Sequence, residues 1–188
     1  MKKIFLMAVG VAASAMVFGQ SVKLGIKAGA NFATFHASDD ATDYNGITSF
    51  NAGGLAHIHV TSNFAVQPEL YYSRQGAEYG AVKANLGYLN LPVLLQYMVG
   101  NGFRLQTGPQ VGFLLSAKYK TGEIENDMKD YYKSAEFGWA FGASYQFPGT
   151  GVGIDARYNL GISDANDEAN KHIKNRVASV GLFYQFSK

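Results

Sequence analysis

Apolar and polar residues alternate with a period of two along most of the chain after residue 21. In the last segment, SVGLFYQF (179–186), every second residue from Val180 onward is apolar or aromatic. A period of two is typical of β-strands, because successive side chains of a strand point to opposite faces. The pattern predicts eight strands, at 22–36, 49–60, 64–76, 86–99, 103–119, 134–147, 152–163 and 175–187.

Short and long connections alternate strictly between these strands. The short ones are tight turns at 61–63, 100–102 and 148–151, and the long, polar ones are at 37–48, 77–85, 120–133 and 164–174. Tight turns therefore lie at one end of the structure and loops at the other, as in an up-and-down meander. We expect the last strand to pair with the first, because such closure leaves no unpaired edge.

Each predicted strand has an apolar face and a polar face, and alternation alone does not decide which one points outward. A soluble barrel that holds a ligand would have its apolar face inside, whereas a membrane barrel would have it outside. Glycines crowd the polar face, as a narrow lumen requires, and aromatic residues lie near both ends of the apolar face, as at two membrane interfaces. These features favour a polar interior and a lipid-facing apolar exterior.

Charged residues support the same orientation, because a basic residue that faces lipid at mid-bilayer costs ~2–4 kcal/mol. The sequence therefore predicts an all-β chain folded as an eight-stranded antiparallel up-and-down transmembrane β-barrel. Side chains fill the lumen of a barrel of this size. We expect a polar network of buried, paired charges there, and a narrow ion or proton path is the alternative. The predicted lumen charges are Lys23, Lys27, Glu69, Arg104, Lys118, Glu136, Asp155 and Arg157.

Three prolines fall inside predicted strands, at Pro68, Pro92 and Pro109. Each proline removes a donor from the hydrogen-bond ladder. We expect bulges or gaps at these positions, which would shift the side-chain parity by one residue nearby.

The first segment, 1–19, combines two lysines, an apolar run and a final glycine, which predicts a cleaved signal peptide before a barrel domain at 20–188. A membrane-anchor helix is the alternative, but the run is shorter than the roughly 20 residues that a spanning helix needs. Without Lys2 and Lys3, the 16 basic residues fall to 14 and equal the 14 acidic ones. This balance indicates no nucleic-acid partner, and the absence of cysteine excludes disulfides and lipid attachment at cysteine.

Six sequence blocks resemble a known family in their order and spacing. The blocks are GIKAGANF (25–32), QPELYYSRQGA (67–77), YLNLPVLLQY (88–97), GPQVGFLLSAK (108–118), RYNLGISD (157–164) and NRVASVGLFYQF (175–186). Together they resemble the small outer-membrane β-barrel proteins of Bacteroidetes-type bacteria, the PorT-like or porin family. The resemblance implies a place in the Gram-negative outer membrane, and it implies no reaction and no cofactor.

The final strand also resembles the signal that the outer-membrane barrel assembly machinery reads, through Ser179, Gly181, Tyr184 and Phe186. The family resemblance therefore implies contact with this machinery. It further implies an envelope-structural or surface-interaction role, with a surface or secretion-system protein as a partner. A narrow porin-like channel is the alternative function, ahead of a lipid-modifying enzyme or a soluble lipocalin-like binder.

Arg74 and Arg176 are exceptions to the charge pattern, because both fall on the apolar face beside long loops. There they are placed to bind phosphates of outer-membrane lipids and lipopolysaccharide. The alternative is that both side chains simply extend toward the loop region.

No catalytic, metal or cofactor site is predicted. His57 and His59 share the polar face two residues apart, but no third metal ligand is evident, so hydrogen-bonded structural histidines are favoured. Lipid-modifying enzymes use serine, histidine and acidic residues near the rim of a barrel. His36, Ser38 and Asp39 cluster at the first long loop and His172 lies in the fourth, but neighbours in sequence do not make a catalytic site, because geometry decides such sites.

Overall fold

The computed structural model describes residues 21–37, 44–122, 124–165 and 173–186, so the predicted signal peptide at 1–19 lies outside it. The strands of this described part are β1 (Val22–Ala37), β2 (Asn45–His59), β3 (Phe64–Tyr79), β4 (Val82–Val99), β5 (Phe103–Thr121), β6 (Ile124–Asp127), β7 (Ala135–Gln146), β8 (Val152–Gly161) and β9 (Ile173–Gln185). A 3-10 turn, Lys129–Tyr131, lies between β6 and β7. Within the same residues no helix has the length and hydrophobicity that crossing a bilayer requires.

Eight of these strands close into one antiparallel barrel, in the order β1, β2, β3, β4, β5, β7, β8, β9. The closing ladder runs from Gly25 opposite Gln185 to Ala37 opposite Ile173. The predicted eight-stranded barrel and its closure by the last strand are therefore confirmed. The short strand β6 pairs with the loop end of β5, outside this ring.

Two of the four predicted long loops are wrong, because strand pairing continues through them. β3 and β4 are joined by a two-residue turn in which Gly80 has φ of 57°, and the β5–β6 turn contains Gly122 with φ of 61°. Glycine adopts such left-handed conformations without a steric penalty, which permits tight turns at both positions. The connection predicted at 77–85 is thus mostly strand, whereas the one predicted at 120–133 contains six described strand residues and a 3-10 turn.

The barrel wall has unequal height as a result. β3, β4 and β5 contain 16, 18 and 19 residues, whereas β8 contains 10. Ten tilted residues match the apolar band of roughly 25 Å in an outer-membrane barrel. The longer strands therefore extend well beyond the membrane at the loop end.

The apolar face points outward, as predicted. Ile154 and Leu182 are 47% and 60% exposed, whereas Glu69 and Arg157 are 3% and 5% exposed. The alternative of a soluble barrel with an apolar interior is therefore wrong. Exposed aromatic side chains ring the tight-turn end at Phe64, Tyr97, Phe103, Phe147 and Phe186.

The strand prolines leave the register of their ladders unchanged. A short gap in the β3–β4 ladder lies beside Pro68, and one in the β4–β5 ladder lies beside Pro92 and Pro109, but each ladder resumes in the same register. The expected gaps are therefore confirmed, whereas no parity shift accompanies them. Register shifts lie instead in β5 at Leu115 and in β2 within 46–51.

Candidate functional site

Four charged side chains from three strands meet in the lumen, and we call them the ion cluster. Arg157 donates from Nη1 and Nη2 to the two carboxylate oxygens of Glu69, at 2.8 and 3.0 Å, and from Nη2 to Asp155 at 3.1 Å. Lys27 Nζ donates to Glu69 at 3.2 Å and to Asp155 at 3.4 Å. Two cations and two anions therefore neutralise each other, as burial of charge requires.

Glycines beside the ion cluster give its long side chains room. Asp155 lies opposite Gly181 in the β8–β9 ladder, and Lys27 lies opposite Gly53 in the β1–β2 ladder. A Cβ atom on Gly53 would stand 2.4 Å from the Cα atom of Tyr71. The lumen is so narrow here that a long charged side chain fits only beside a position that has no side chain.

Uncharged side chains complete the hydrogen bonds of the ion cluster. Gln67 Nε2 donates to Glu69 at 2.8 Å, and Gln106 Nε2 donates to Asp155. Lys27 Nζ lies 5.2 Å from the centre of the Tyr71 ring, within the range of a cation–π interaction. These contacts join β1, β3, β5 and β8 across the lumen, so they stabilise the closed barrel from inside.

The other four predicted lumen charges do not join the ion cluster. Lys23 and Arg104 lie at the tight-turn mouth, where Lys23 is exposed and Arg104 is buried. Glu136 lies nearer the loop end and accepts a hydrogen bond from Asn175 Nδ2. Lys118 lies outside the barrel. The structure thus divides the predicted network of eight into one cluster of four and four separate residues.

The prediction for Lys118 is wrong because a β-bulge reverses the parity of β5. Gly87 pairs with Ser116 while Tyr88 pairs with Leu114, so Leu115 is an extra residue on β5. Beyond this bulge, odd-numbered residues of β5 face inward. Lys118 is consequently exposed, and its Nζ donates to Glu125 at 2.5 Å on the outer surface.

An apolar cluster fills the lumen at the loop end, and the alternation pattern did not predict it. This loop-end cluster consists of Phe35, Ala77, Ala84, Leu86, Tyr88, Leu114, Ala117, Tyr132 and Ala165, with Tyr44, Tyr119 and Ile173 packed against it. Ala77 and Ala84 of this cluster lie in the segment 77–85, which was predicted to be a loop. Ala84 continues the alternation of Leu86 and Tyr88, which was a signal that the strand extends into this segment.

Two tyrosines form a hydrogen bond inside the loop-end cluster. The hydroxyl oxygens of Tyr119 and Tyr132 lie 2.7 Å apart. Burial and the neighbouring Tyr119 raise the pKa of Tyr132 well above its ordinary value. Tyr132 follows the 3-10 turn, so this bond ties the connection between β6 and β7 to the barrel interior.

The two lumen histidines contact each other near the tight-turn mouth. The ring centres of His57 and His59 lie 4.5 Å apart in an edge-to-face arrangement, and His57 Nδ1 lies 3.3 Å from Gln67 Oε1. Within the described residues, no three His, Cys, Asp or Glu side chains are grouped as a metal ion would need. The arrangement provides a packed pair rather than a ligand set.

Arg74 and Arg176 both lie on the outer face toward the loop end, but the structure does not bring them together. Arg74 is on β3 and exposed, and Arg176 is on β9 and half-buried, with β1 and β2 between them. The three strand spacings of about 4.8 Å between β3 and β9 alone separate them by about 14 Å around the barrel. Each one therefore meets its surroundings separately.

The predicted assembly signal lies on the closing strand and just after it. Ser179 and Gly181 are on the lumen side of β9, whereas Tyr184 and Phe186 are exposed on the lipid side. The rings of Tyr184 and Phe186 lie 5.5 Å apart, edge to face. Both aromatic side chains are thus presented outward at the tight-turn rim.

Most of the residues considered for catalysis lie outside the described part of the chain. This holds for Ser38, Asp39 and His172, whereas His36 is exposed near the end of β1. No catalytic arrangement can be built from His36 alone.

One family model matches most of the chain. It is described as an outer membrane protein beta-barrel domain, and it matches residues 18–167. A search of curated protein sequences gave no match.

Similar solved structures are small membrane barrels. Neisserial surface protein A has a TM-score of 0.65 and 16% identity, over 88% of this chain and 99% of that chain. The attachment invasion locus protein Ail of Yersinia pestis has a TM-score of 0.55 and 15% identity, over 87% and 98%. Ail in complex with the heparin analogue sucrose octasulfate has a TM-score of 0.54 and 14% identity, over 88% and 99%. At such identities the likeness shows the fold alone.

Proposed function

Because this chain belongs to the outer membrane protein beta-barrel domain family, we propose that it is a non-enzymatic integral barrel whose role lies at its outer surface. The observation that carries this proposal is the filled lumen. The ion cluster occupies its middle and the loop-end cluster its outer end. The cavity beside the ion cluster measures about 10 Å³, which is near the lower limit for one water molecule.

A polar sheet beyond the membrane is the surface that we propose for a partner. The extended β3, β4, β5 and β6 carry a row of outward charges there: Glu78 lies opposite Lys83, Lys83 opposite Lys120, and Lys120 opposite Glu125. Charges of both signs favour a polar, solvated interface. The partner class that we propose is a surface or secretion-system protein of the same cell, as in a PorT-like role.

Site-specific crosslinking in cells tests this surface. A photo-crosslinking residue at Ile124, which is 66% exposed on β6, should give a discrete protein adduct. The control places the same photo-crosslinking residue at Ile162, which is 56% exposed and directly follows the short strand β8, and it should give no adduct. Substituting Lys83→Glu and Lys120→Glu together should abolish the adduct at 124. Equal adducts at both positions, or one that survives the charge reversal, would contradict the proposal.

We also propose that Arg74 and Arg176 bind phosphates of lipopolysaccharide. Both lie where the apolar band ends, and a guanidinium binds phosphate through paired N–H donors. Replacing both by Gln should lower the lipopolysaccharide that co-purifies with the barrel. Lys129→Gln combined with Lys133→Gln, at two exposed positions between β6 and β7, is the charge-matched control. Equal lipid content in the two variants would count against the idea.

We propose that the signal peptide at 1–19 directs export and that the outer-membrane assembly machinery then inserts the barrel. The exposed side chains of Tyr184 and Phe186 support recognition by this machinery. Phe186→Ala should then lower the yield of membrane-inserted barrel. Phe147→Ala removes a similarly exposed ring at the same rim, and it should leave the yield nearly unchanged. Equal losses would indicate that both rings act only as interface anchors.

A narrow channel is the second candidate function. It is favoured by buried polar atoms for which the described residues offer no hydrogen-bond partner, such as Ser144 Oγ and Asn159 Oδ1. Such atoms are suited to hold a file of water. Single-channel recording in planar bilayers separates the two functions, because the filled lumen predicts silence and stepwise current would favour the channel. A lipid-modifying activity would instead change the lipid A profile of a deletion strain.

A further inference from the structure

Arg104 is a buried cation that the ion cluster does not neutralise. It faces the lumen near the tight-turn end of β5 and is 6% exposed. Its Nη2 donates to the side-chain oxygens of Gln146 and Gln185, and its guanidinium carbon lies 5.8 Å from the centre of the Phe183 ring. In the described residues no carboxylate forms an ion pair with Arg104, although an unpaired buried charge is strongly unfavourable.

Arg104 borders an open cavity at the tight-turn mouth. The cavity has a volume of about 560 Å³, and the turns at 100–102 and 148–151 form much of its rim. Lys23 lines the same cavity from β1. None of the described residues that line it is acidic. The mouth is therefore a positively charged chamber open to the periplasmic side, which is where the short turns of such barrels lie.

The wall of this chamber also offers an unused hydrogen-bond donor. The side-chain nitrogen of Gln185, a residue that is 1% exposed, has no hydrogen-bond partner in the described structure. Lys23 and Arg104 line this same cavity, so both positive charges face one space. An unsatisfied donor beside two unpaired cations is complementary to an oxyanion.

We propose that this mouth binds a phosphate group, with Arg104 as the main ligand and Lys23 as the second positive charge. The planar guanidinium matches two phosphate oxygens at once, and two cations without an acid balance a dianion. Phe103, Phe147 and Phe186 lie at the rim of the cavity, where aromatic side chains suit the periplasmic interface of the outer membrane. The phosphate group is therefore carried either by a soluble phosphate ester or by a phospholipid headgroup. This site is independent of any role of the outer surface.

Nuclear magnetic resonance titration of the refolded, ¹⁵N-labelled barrel tests the proposal. The protein is held in a phosphate-free detergent at constant ionic strength. One arm adds glycerol 3-phosphate, and the other adds short-chain phosphatidylglycerol to the micelles. Saturable shifts of the amide signals of Gly102, Gln146 and Gly151 are expected. Saturation in the first arm supports a soluble ester, and saturation in the second arm alone supports a lipid headgroup.

Three single variants make the test specific. Arg104→Gln should weaken binding about tenfold or more, because a hydrogen-bonded charge is lost. Lys23→Gln changes an exposed side chain, so it should fold normally and weaken binding a few-fold. Lys129→Gln, the same change at an exposed position of the 3-10 turn at the loop end, should leave affinity within about twofold. Non-saturating shifts in both arms, or equal affinity in the Lys23→Gln and Lys129→Gln variants, would overturn the proposal.

Discussion

The middle and the loop end of the lumen are filled by opposite chemistry. In the middle of the barrel, the ion cluster joins β1, β3 and β8 through four mutually neutralising charges. At the loop end, apolar and tyrosine side chains pack around Leu86 and Tyr88, which are almost completely buried. The first region depends on charge balance and the second on filled volume. Substitutions should therefore affect the two regions in different ways.

The largest expected effect is in the ion cluster. Glu69→Gln leaves Lys27 and Arg157 with Asp155 as their single carboxylate, and such a loss typically costs ~3–5 kcal/mol. Denaturant unfolding of the reconstituted barrel, followed by fluorescence of the single tryptophan, Trp139, measures the effect.

The matched control for that prediction is the double variant Glu69→Gln with Arg157→Gln, which restores neutrality. Its loss of stability should be smaller than the sum of the two single losses, because the residues are coupled. Additive losses would mean that the ion cluster is not an electrostatic unit.

A cavity at the loop end should have the next largest effect. Leu86→Ala removes a fully buried side chain, and such truncations cost ~2–5 kcal/mol. Adding salt should leave this loss unchanged, since no charge is involved. Unfolding midpoints at low and high salt check it. Leu115→Ala, an exposed leucine at the bulge, is the control, and a loss equal to that of Leu86→Ala would contradict the packing described for this end.

A smaller effect is expected from the tyrosine pair. Tyr132→Phe removes the hydroxyl that meets Tyr119, which should cost ~0.5–1.5 kcal/mol. Tyr131→Phe makes the same change at a side chain that is 56% exposed, and it should be neutral. Equal midpoints for the two variants would show that the hydrogen bond contributes nothing.

The smallest effect is expected at Lys118. Because the bulge at Leu115 turns Lys118 outward, Lys118→Gln should leave the unfolding midpoint unchanged. A lumen position, as the simple alternation predicts, would instead make this variant as harmful as one in the ion cluster. The comparison of Lys118→Gln with Lys27→Gln therefore tests the bulge itself.

The strand order, the closure and the outward apolar face were predictable, because a barrel imposes one period along all its strands. The bulge was not, since one extra residue in β5 changes the parity of every residue after it without changing composition. The adjacent leucines Leu114 and Leu115 are its only trace in the pattern. The prolines were a misleading signal, because gaps at Pro92 and Pro109 cost hydrogen bonds and leave the register intact.

The alternation pattern also could not predict which interior charges pair with each other. Parity predicts that Arg104 and Arg157 share the lumen, but their heights along the barrel decide which carboxylate each one meets. Arg157 meets Glu69, whereas Arg104 donates to the amide oxygens of Gln146 and Gln185 and forms no ion pair among the described residues. Cross-strand register sets these heights, and turn geometry sets the register.

The central claim is that apolar side chains face lipid around a filled lumen. Because the chain has no cysteine, the single variants Leu105→Cys and Gln106→Cys each carry one spin label. The two labels report on adjacent positions of β5. In lipid vesicles, the label at 105 should be accessible to oxygen and shielded from a water-soluble nickel chelate, and the label at 106 should be shielded from both. Strong access of the nickel chelate at 106, or at both positions, would contradict this account.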